Sequence, residues 1–396
     1  ASCQTGIITA DENFWGYQST KRPPELAFIP CPDSYCRSPA TGSSEYNECV
    51  GNRTSILCGT CAPGYSETLL STDCLANEKC SKSVYWLIII LATTSLATYL
   101  LIKPPIFTFL KKQILWFRNQ EHGIVKEDLG DVCEHLDSGH LKIVFYFYQA
   151  AEILTVSSTD DLLHKINFMS LIIAGFNFQF RIFKEKAGCP FVGLTAVTKE
   201  LMLSGTVFAT MAEVFIIYWL HFGFNILRHK AVPSPQRYMA TIIEIMLLGY
   251  ERLAETSLKL LRCVPIGSEN RLYLDGSVTC WQWWQYALLA YVIVFVVPFF
   301  FVLYFGSFKL YRGLVSTGEF LGACIMPLPF LIYWLIRHKM RPNTDSSLVR
   351  GKPENEPVLE VLQGPFRPPN DDDSGTLYWE SVLIGRRLIL LARSEE

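Results

Sequence analysis

The residues best placed to do chemistry are acidic. Glu244, Glu251, Glu255 and Lys259 are spaced seven, four and four apart, so on a helix they share one face. Their segment, Tyr238 to Arg262, has helical periodicity, and Glu152 and Glu213 sit inside two other apolar blocks. Charges at bilayer depth are costly and usually face a bundle interior or a water-filled path. One expectation is a polar path for cations or protons through Glu152, Glu213, Glu244, Glu251, Glu255 and Lys259. The favoured expectation is structural: Glu255 and Lys259 form an i,i+4 ion pair on a helix partly outside the membrane and packed by its apolar face.

Cysteine supplies the second constellation. Of 13 cysteines, Cys3, Cys31, Cys36, Cys49, Cys58, Cys61, Cys74 and Cys80 precede the first long apolar block. An even number in a polar, Gly/Pro-rich stretch reads as a disulfide framework in an oxidising compartment, with the pairing left open. The rival is zinc, because Cys58-x2-Cys61 has ligand spacing. The sequon Asn52-Arg53-Thr54 lies in the same stretch and favours disulfides on the lumenal side, with Asn52 as the glycan acceptor. A second zinc candidate, Cys133 with His135, His140 and His122, matches no common finger, and solvated loop residues explain it. Trp281, Trp283 and Trp284 sit where a loop meets an apolar block, as an aromatic belt does. No nucleophile elbow, phosphate loop or HExxH motif is readable. Neither an enzyme nor a cofactor is expected, and a net charge of −2 argues against a nucleic-acid partner.

The elements that must position these groups are membrane spans. Half of the 396 residues are hydrophobic, and they are gathered into blocks long enough to cross a hydrocarbon core of about 30 Å. The expected fold is a small disulfide-rich extracellular module followed by an all-α polytopic membrane domain of about six to eight apolar segments, some re-entrant. Residues 1–82 form the module, which is EGF-like at Cys58-Gly-Thr-Cys61-Ala-Pro-Gly-Tyr65. Residues 83–336 form the membrane domain, opening with the uncharged Ser83 to Ile102. A basic amphipathic loop, 103–140, follows on the cytoplasmic side. Residues 337–376 are polar, Pro-rich and acidic at Asp371 to Asp373, and read as a cytoplasmic or disordered linker. Residues 377–396 start a further, truncated span.

Two blocks make the threading ambiguous. Ile166 to Phe183 is interrupted by Gly175, Asn177, Gln179 and Arg181, and Glu319 to Ile336 contains Pro327 and Pro329. If both span fully, the Cys263–Trp284 loop is cytoplasmic and Arg228-His229-Lys230 is outside, against the positive-inside rule. If both are partial spans, the basic loop moves inside. The 263–284 loop then moves outside, where Cys263 and Cys280 can form a disulfide. The second threading is favoured, since polar and helix-breaking residues suit partial spans.

NFWGY at Asn13–Tyr17, CPDSYC at Cys31–Cys36 and NRTSILCGTCAPGYSETLLSTDC at Asn52–Cys74 resemble the membrane-proximal module of large surface proteins of invertebrates and protists. Leu274-Asp275-Gly276, Trp283-Trp284-Gln285, Gly364-Pro365-Phe366-Arg367, Tyr378-Trp379-Glu380 and Arg386-Arg387-Leu388-Ile389-Leu390 are similar too. In that family, long β-helix or EGF-like repeats precede a multi-span region. The resemblance implies a preceding ectodomain, further C-terminal spans and no residue with an assigned activity. The expected function is a cell-surface structural, adhesion or receptor-like protein, multi-pass in the plasma membrane. Its partners would be membrane lipids and extracellular proteins or further copies of itself, as in a homo-oligomer. The alternative is an ion channel or transporter. What separates them is whether the charged faces converge on a hydrated cavity or bury against each other.

Overall fold

A computed structural model describes residues 2–4, 7–11, 13–19, 25–32, 34–37, 46–69, 71–80, 84–103, 189–340, 355–363 and 377–394. The module is a set of small antiparallel ribbons. β1 (Ser2–Gln4) pairs β2 (Ile7–Thr9), and β3 (Phe14–Gln18) pairs β4 (Leu26–Pro30). β5 (Arg53–Thr54) pairs β6 (Thr60–Cys61), and β7 (Tyr65–Glu67) pairs β8 (Cys74–Ala76). Two-stranded ribbons of this size are not stable alone. Cys31–Cys36, Cys49–Cys58 and Cys61–Cys74 staple them. A small core of Trp15, Tyr35, Leu57 and the flanking half-cystines fills the centre.

Helix α1 (Val84–Ile102) leaves the module. Helix α2 (Ala196–Leu227) starts behind a reciprocal cap, in which Thr195 accepts from the Thr198 amide and the Thr198 hydroxyl accepts from the Thr195 amide. Two of the four orphan N–H groups of a helix start are satisfied that way. Helix α3 (Pro235–Leu261) begins with proline at its first position, where the missing N–H costs nothing. A hairpin of β9 (Cys263–Ile266) and β10 (Glu269–Leu272) follows. Helix α4 (Trp283–Tyr311) then runs antiparallel to α3. Gln285 donates to the Leu260 carbonyl near one end, and the Tyr250 hydroxyl donates to the Val296 carbonyl, 2.8 Å, further along. Val292–Val296 is a π-helical turn just before Pro298. A proline there withholds a donor from the helical ladder, and Tyr250 serves a carbonyl at that break.

Helices α5 (Thr317–Ile325) and α6 (Pro327–Met340) form a hairpin and not one span. Met326 precedes a proline and leaves the α region, with φ −127° and ψ 71°. Trp334 donates to Glu319 at 3.0 Å, and Arg337 lies 3.6 Å from the same carboxylate. The start of α5 and the end of α6 are therefore on one side. The proline-interrupted block 319–336 is therefore two short helices. Helix α7 (Glu356–Gln363) and helix α8 (Trp379–Ser394) complete the described chain. The linker expectation for 337–376 needs correction within it, because Val358, Val361 and Leu362 are buried in the core that α3, α4 and α8 share. Only one face of α7 is apolar, and that face is covered.

The count of six to eight spans is not supported. Among the described residues, two helices, Ala196–Leu227 and Trp283–Tyr311, are long and apolar enough to cross a membrane, and the apolar runs Trp86–Ile102 and Pro327–Arg337 are shorter. α3 carries an ionisable residue in nearly every turn, and α8 contains Glu380, Arg386 and Arg387. The blocks 141–157 and 166–183 and the loop 104–140 lie outside the described residues.

The α5–α6 hairpin rests against α4 where Gly306 leaves room. A Cβ there would meet Phe320 at 2.7 Å and Trp334 at 2.9 Å. Gly306→Val should displace the hairpin and cost about 1–3 kcal/mol. A fall in the thermal midpoint of the purified protein checks it. An unchanged midpoint would mean that the hairpin is not packed on α4.

Candidate functional site at the joint between module and helices

Among the described residues, buried charge is concentrated at the seam where the module meets the helix ends. Three kinds of bond hold it. The first is covalent: Cys80, four residues before α1, is bridged to Cys189, just before α2. Cys80 is thus not closed within the first eight cysteines, which corrects the expected framework. Cys189 is 109 positions away, and spacing carries no signal for such a pair. The side chain of Cys3 lies outside the described residues.

The second bond is ionic. Glu67, at the end of β7, is 1 % exposed. It takes Arg53 Nη2 on one oxygen and Lys199 Nζ, at 3.1 Å, on the other. Arg53 also donates to the carbonyls of Thr72 (2.8 Å) and Cys58 (3.1 Å), and its guanidinium lies 3.5 Å from the centre of the Tyr35 ring. Lys199 is in the first turn of α2, where the helix dipole disfavours a cation. Glu67 compensates it. Beside Lys199, Glu200 pairs with Arg252 of α3 at 2.6 Å, Arg252 reaches Glu255 at 3.3 Å, and Glu255 holds Lys259. Seven ionisable groups of alternating sign thus run from the module into α3, each step an ion pair except Lys199–Glu200, which are neighbours along the chain. Main-chain bonds run beside them: the Glu67 amide donates to Leu194, and the Gly193 amide donates to Ser66 Oγ.

The third bond is the β9–β10 hairpin, closed by Cys263–Cys280. Val264, Ile266 and Tyr273 pack into the module's own core. The Tyr273 hydroxyl donates to the Cys31 carbonyl at 2.8 Å. Asp275 caps its own turn, accepting from the Ser277 amide and hydroxyl. Gly276 then lies so close to the Ile56 main chain that a side chain would collide with it. The 263–284 loop is on the module's side of the helices, as the favoured threading required.

The acidic stripe does not gather at one place. Glu255 belongs to the ionic seam. Glu251 is buried one turn further along α3. Glu244 pairs with Lys103, beyond the far end of α1, at 3.1 Å. Glu213 accepts a 2.8 Å bond from Thr93 of α1, and its other oxygen meets no donor among the described residues. Lys259 closes the seam, and Glu152 lies outside the described residues. Cys58-x2-Cys61 is not a ligand pair here: Cys58 bonds Cys49 and Cys61 bonds Cys74. Trp281 and Trp283 are exposed at the start of α4.

What sequence reasoning missed is Lys199, Glu200 and Glu67. One local signal exists, a lysine in the first turn of a helix, against the dipole. No family model matches the chain, and neither the curated proteins nor the solved structures contain a match.

Glu67→Ala leaves Arg53 and Lys199 buried without their carboxylate. Breaking a buried pair from one side costs about 3–5 kcal/mol. The expected result is a lower midpoint in thermal unfolding and faster proteolysis between the module and α1. Midpoint and cleavage like those of the parent chain would remove the seam from the structure's essentials.

Proposed function

We propose that this chain is the membrane-embedded anchor of a cell-surface protein of structural, adhesion or receptor type, with the disulfide-rich module outside the cell. The observation that carries the reading is the triple fastening of the module onto the helix ends, by a disulfide, a buried ionic seam and a shared core. A domain that only needed tethering would gain nothing from burying Arg53, Glu67 and Lys199 together. A fastened module transmits displacement or load from outside into α2 and α3.

Three further observations support a multi-pass anchor in the plasma membrane. Large apolar side chains point outward from the bundle, among them Leu87 of α1, Phe208 and Phe215 of α2, Ile293 and Phe301 of α4, and Leu335 of α6. A water-exposed surface of that kind is rare on soluble proteins. The ends of the helices away from the module carry Lys103, Arg228, Lys230, Arg237, Arg312 and Arg337, as cytoplasmic ends do. The module side carries the disulfides, which persist in oxidising compartments. Asn52, exposed on that side, is the glycan acceptor of this reading. The acidic residues favour an anchor over an ion path, since Glu244, Glu255 and Glu213 each engage a neighbour within the protein.

Expression in a secretory host tests the orientation. Endoglycosidase should shift the chain's mobility, and Asn52→Gln should abolish that shift. A membrane-impermeant amine reagent should label the module on intact cells. Purified protein in liposomes then separates the two functions. The anchor reading expects no cation flux. A flux that Glu244→Gln and Glu251→Gln abolish would replace it with transport.

A further inference from the structure

The turn between α2 and α3 is a cationic surface with an apolar border. Between Glu213 and Glu244 the sequence contains no Asp or Glu, yet it contains His221, Arg228, His229, Lys230 and Arg237. All five are exposed. The two flanking acids are already engaged, Glu213 by Thr93 and Glu244 by Lys103. Nothing in the turn's own sequence offsets its charge.

The turn is also built and not merely long. The amides of Arg228, His229 and Lys230 donate to Phe224, Ile226 and Asn225 in turn. Asn225 is buried, and its side chain donates to the Ala231 carbonyl at 3.1 Å. His229 takes a left-handed conformation, φ 51°, to close the helix. Pro233 and Pro235 stiffen the exit. The Arg228 guanidinium lies over the Phe224 ring, 4.3 Å from its centre, and Arg237 donates to the last carbonyl of α1, that of Ile102. The cations are therefore presented from a fixed backbone.

What lies beside them is apolar. Leu227 is 82 % exposed, Val232 58 % and Trp219 53 %. A water-soluble anion has no use for that border. A ligand with a negative head and hydrocarbon tails uses both parts.

We infer that the α2–α3 turn binds the headgroup of an anionic phospholipid in the leaflet opposite the module, with Arg228, Lys230 and Arg237 on the phosphate and Leu227 and Val232 against the acyl chains. The inference rests on the membrane reading above, and its test separates the two. The chain is placed in nanodiscs of phosphatidylcholine alone, and in nanodiscs containing one-fifth phosphatidylserine. Native mass spectrometry then counts the lipids retained. The expected result is selective retention of phosphatidylserine, weakened by salt. The triple variant R228Q/K230Q/R237Q should reduce that preference on the order of 100-fold, since each basic residue near such a surface is worth about one factor of five. R228K/R237K keeps the charge and should keep the preference. The thermal midpoint in phosphatidylcholine alone checks that the triple variant is folded. If it is not, the single variants K230Q and R228Q carry the comparison.

Equal retention of both lipids by the parent chain overturns the proposal while leaving the membrane reading intact. Failure of the parent chain to enter nanodiscs at all overturns the membrane reading first. If inorganic phosphate at millimolar concentration displaced phosphatidylserine, the surface would be a site for a soluble anion, and the lipid assignment would be wrong.

Discussion

Glu67 is the group on which the assembly depends. It sits on a module with only a small core, yet it is almost wholly buried. A buried carboxylate needs cations, and two arrive from opposite directions. Arg53 comes from the module and Lys199 from the first turn of α2. Arg53 engages one oxygen of Glu67 from within the module and Lys199 engages the other from α2, so the one carboxylate is shared between them. Glu200, the neighbour of Lys199, points across to Arg252 and passes the same dependence to α3. The hairpin after α3 then returns to finish the module's core with Val264, Ile266 and Tyr273. The ring closes through covalent and ionic links at different places, and it ties the module-side ends of α1, α2 and α3 together.

Much of the architecture is legible in the sequence, and for local reasons. Ser83 to Ile102 reads as a helix because it is uncharged and long, and α1 occupies Val84–Ile102. The break in 319–336 is legible because Pro327 constrains Met326 whatever surrounds them. The i,i+4 pair Glu255–Lys259 is legible because helical geometry alone brings it together. The preference between the two threadings is legible because polar and helix-breaking residues interrupt both doubtful blocks.

What stays hidden depends on contacts far apart in the chain. Cys80 finds Cys189 through the packing of α1 on α2, which no spacing rule encodes. The burial of α7 is not legible because EPVLEVLQ is short, and a short amphipathic segment between polar stretches looks the same whether solvated or docked. Composition marked its surroundings as linker. The partner surface on α3 and α4, which composition does not report, decides otherwise.

The acidic stripe shows that residues sharing one helical face need not share partners. Seven, four and four do place Glu244, Glu251, Glu255 and Lys259 on one face of α3. A shared face is a shared direction, not a shared environment, because the stripe from Glu244 to Lys259 runs about 22 Å along α3. At its far end Glu244 meets Lys103, whose stem can lie along α1 while the ammonium reaches the carboxylate. At its module end Glu255 meets Arg252 and Lys259, and through Arg252 the carboxylate of Glu200. Depth along the helix, set by which loops cluster at each end, chooses the partner. An ion path would need these carboxylates to face one continuous water-filled space with their charge available. Here the two ends of the stripe are spent on cations that hold different helices in place, and the stripe works as a pair of separate fasteners on one rod.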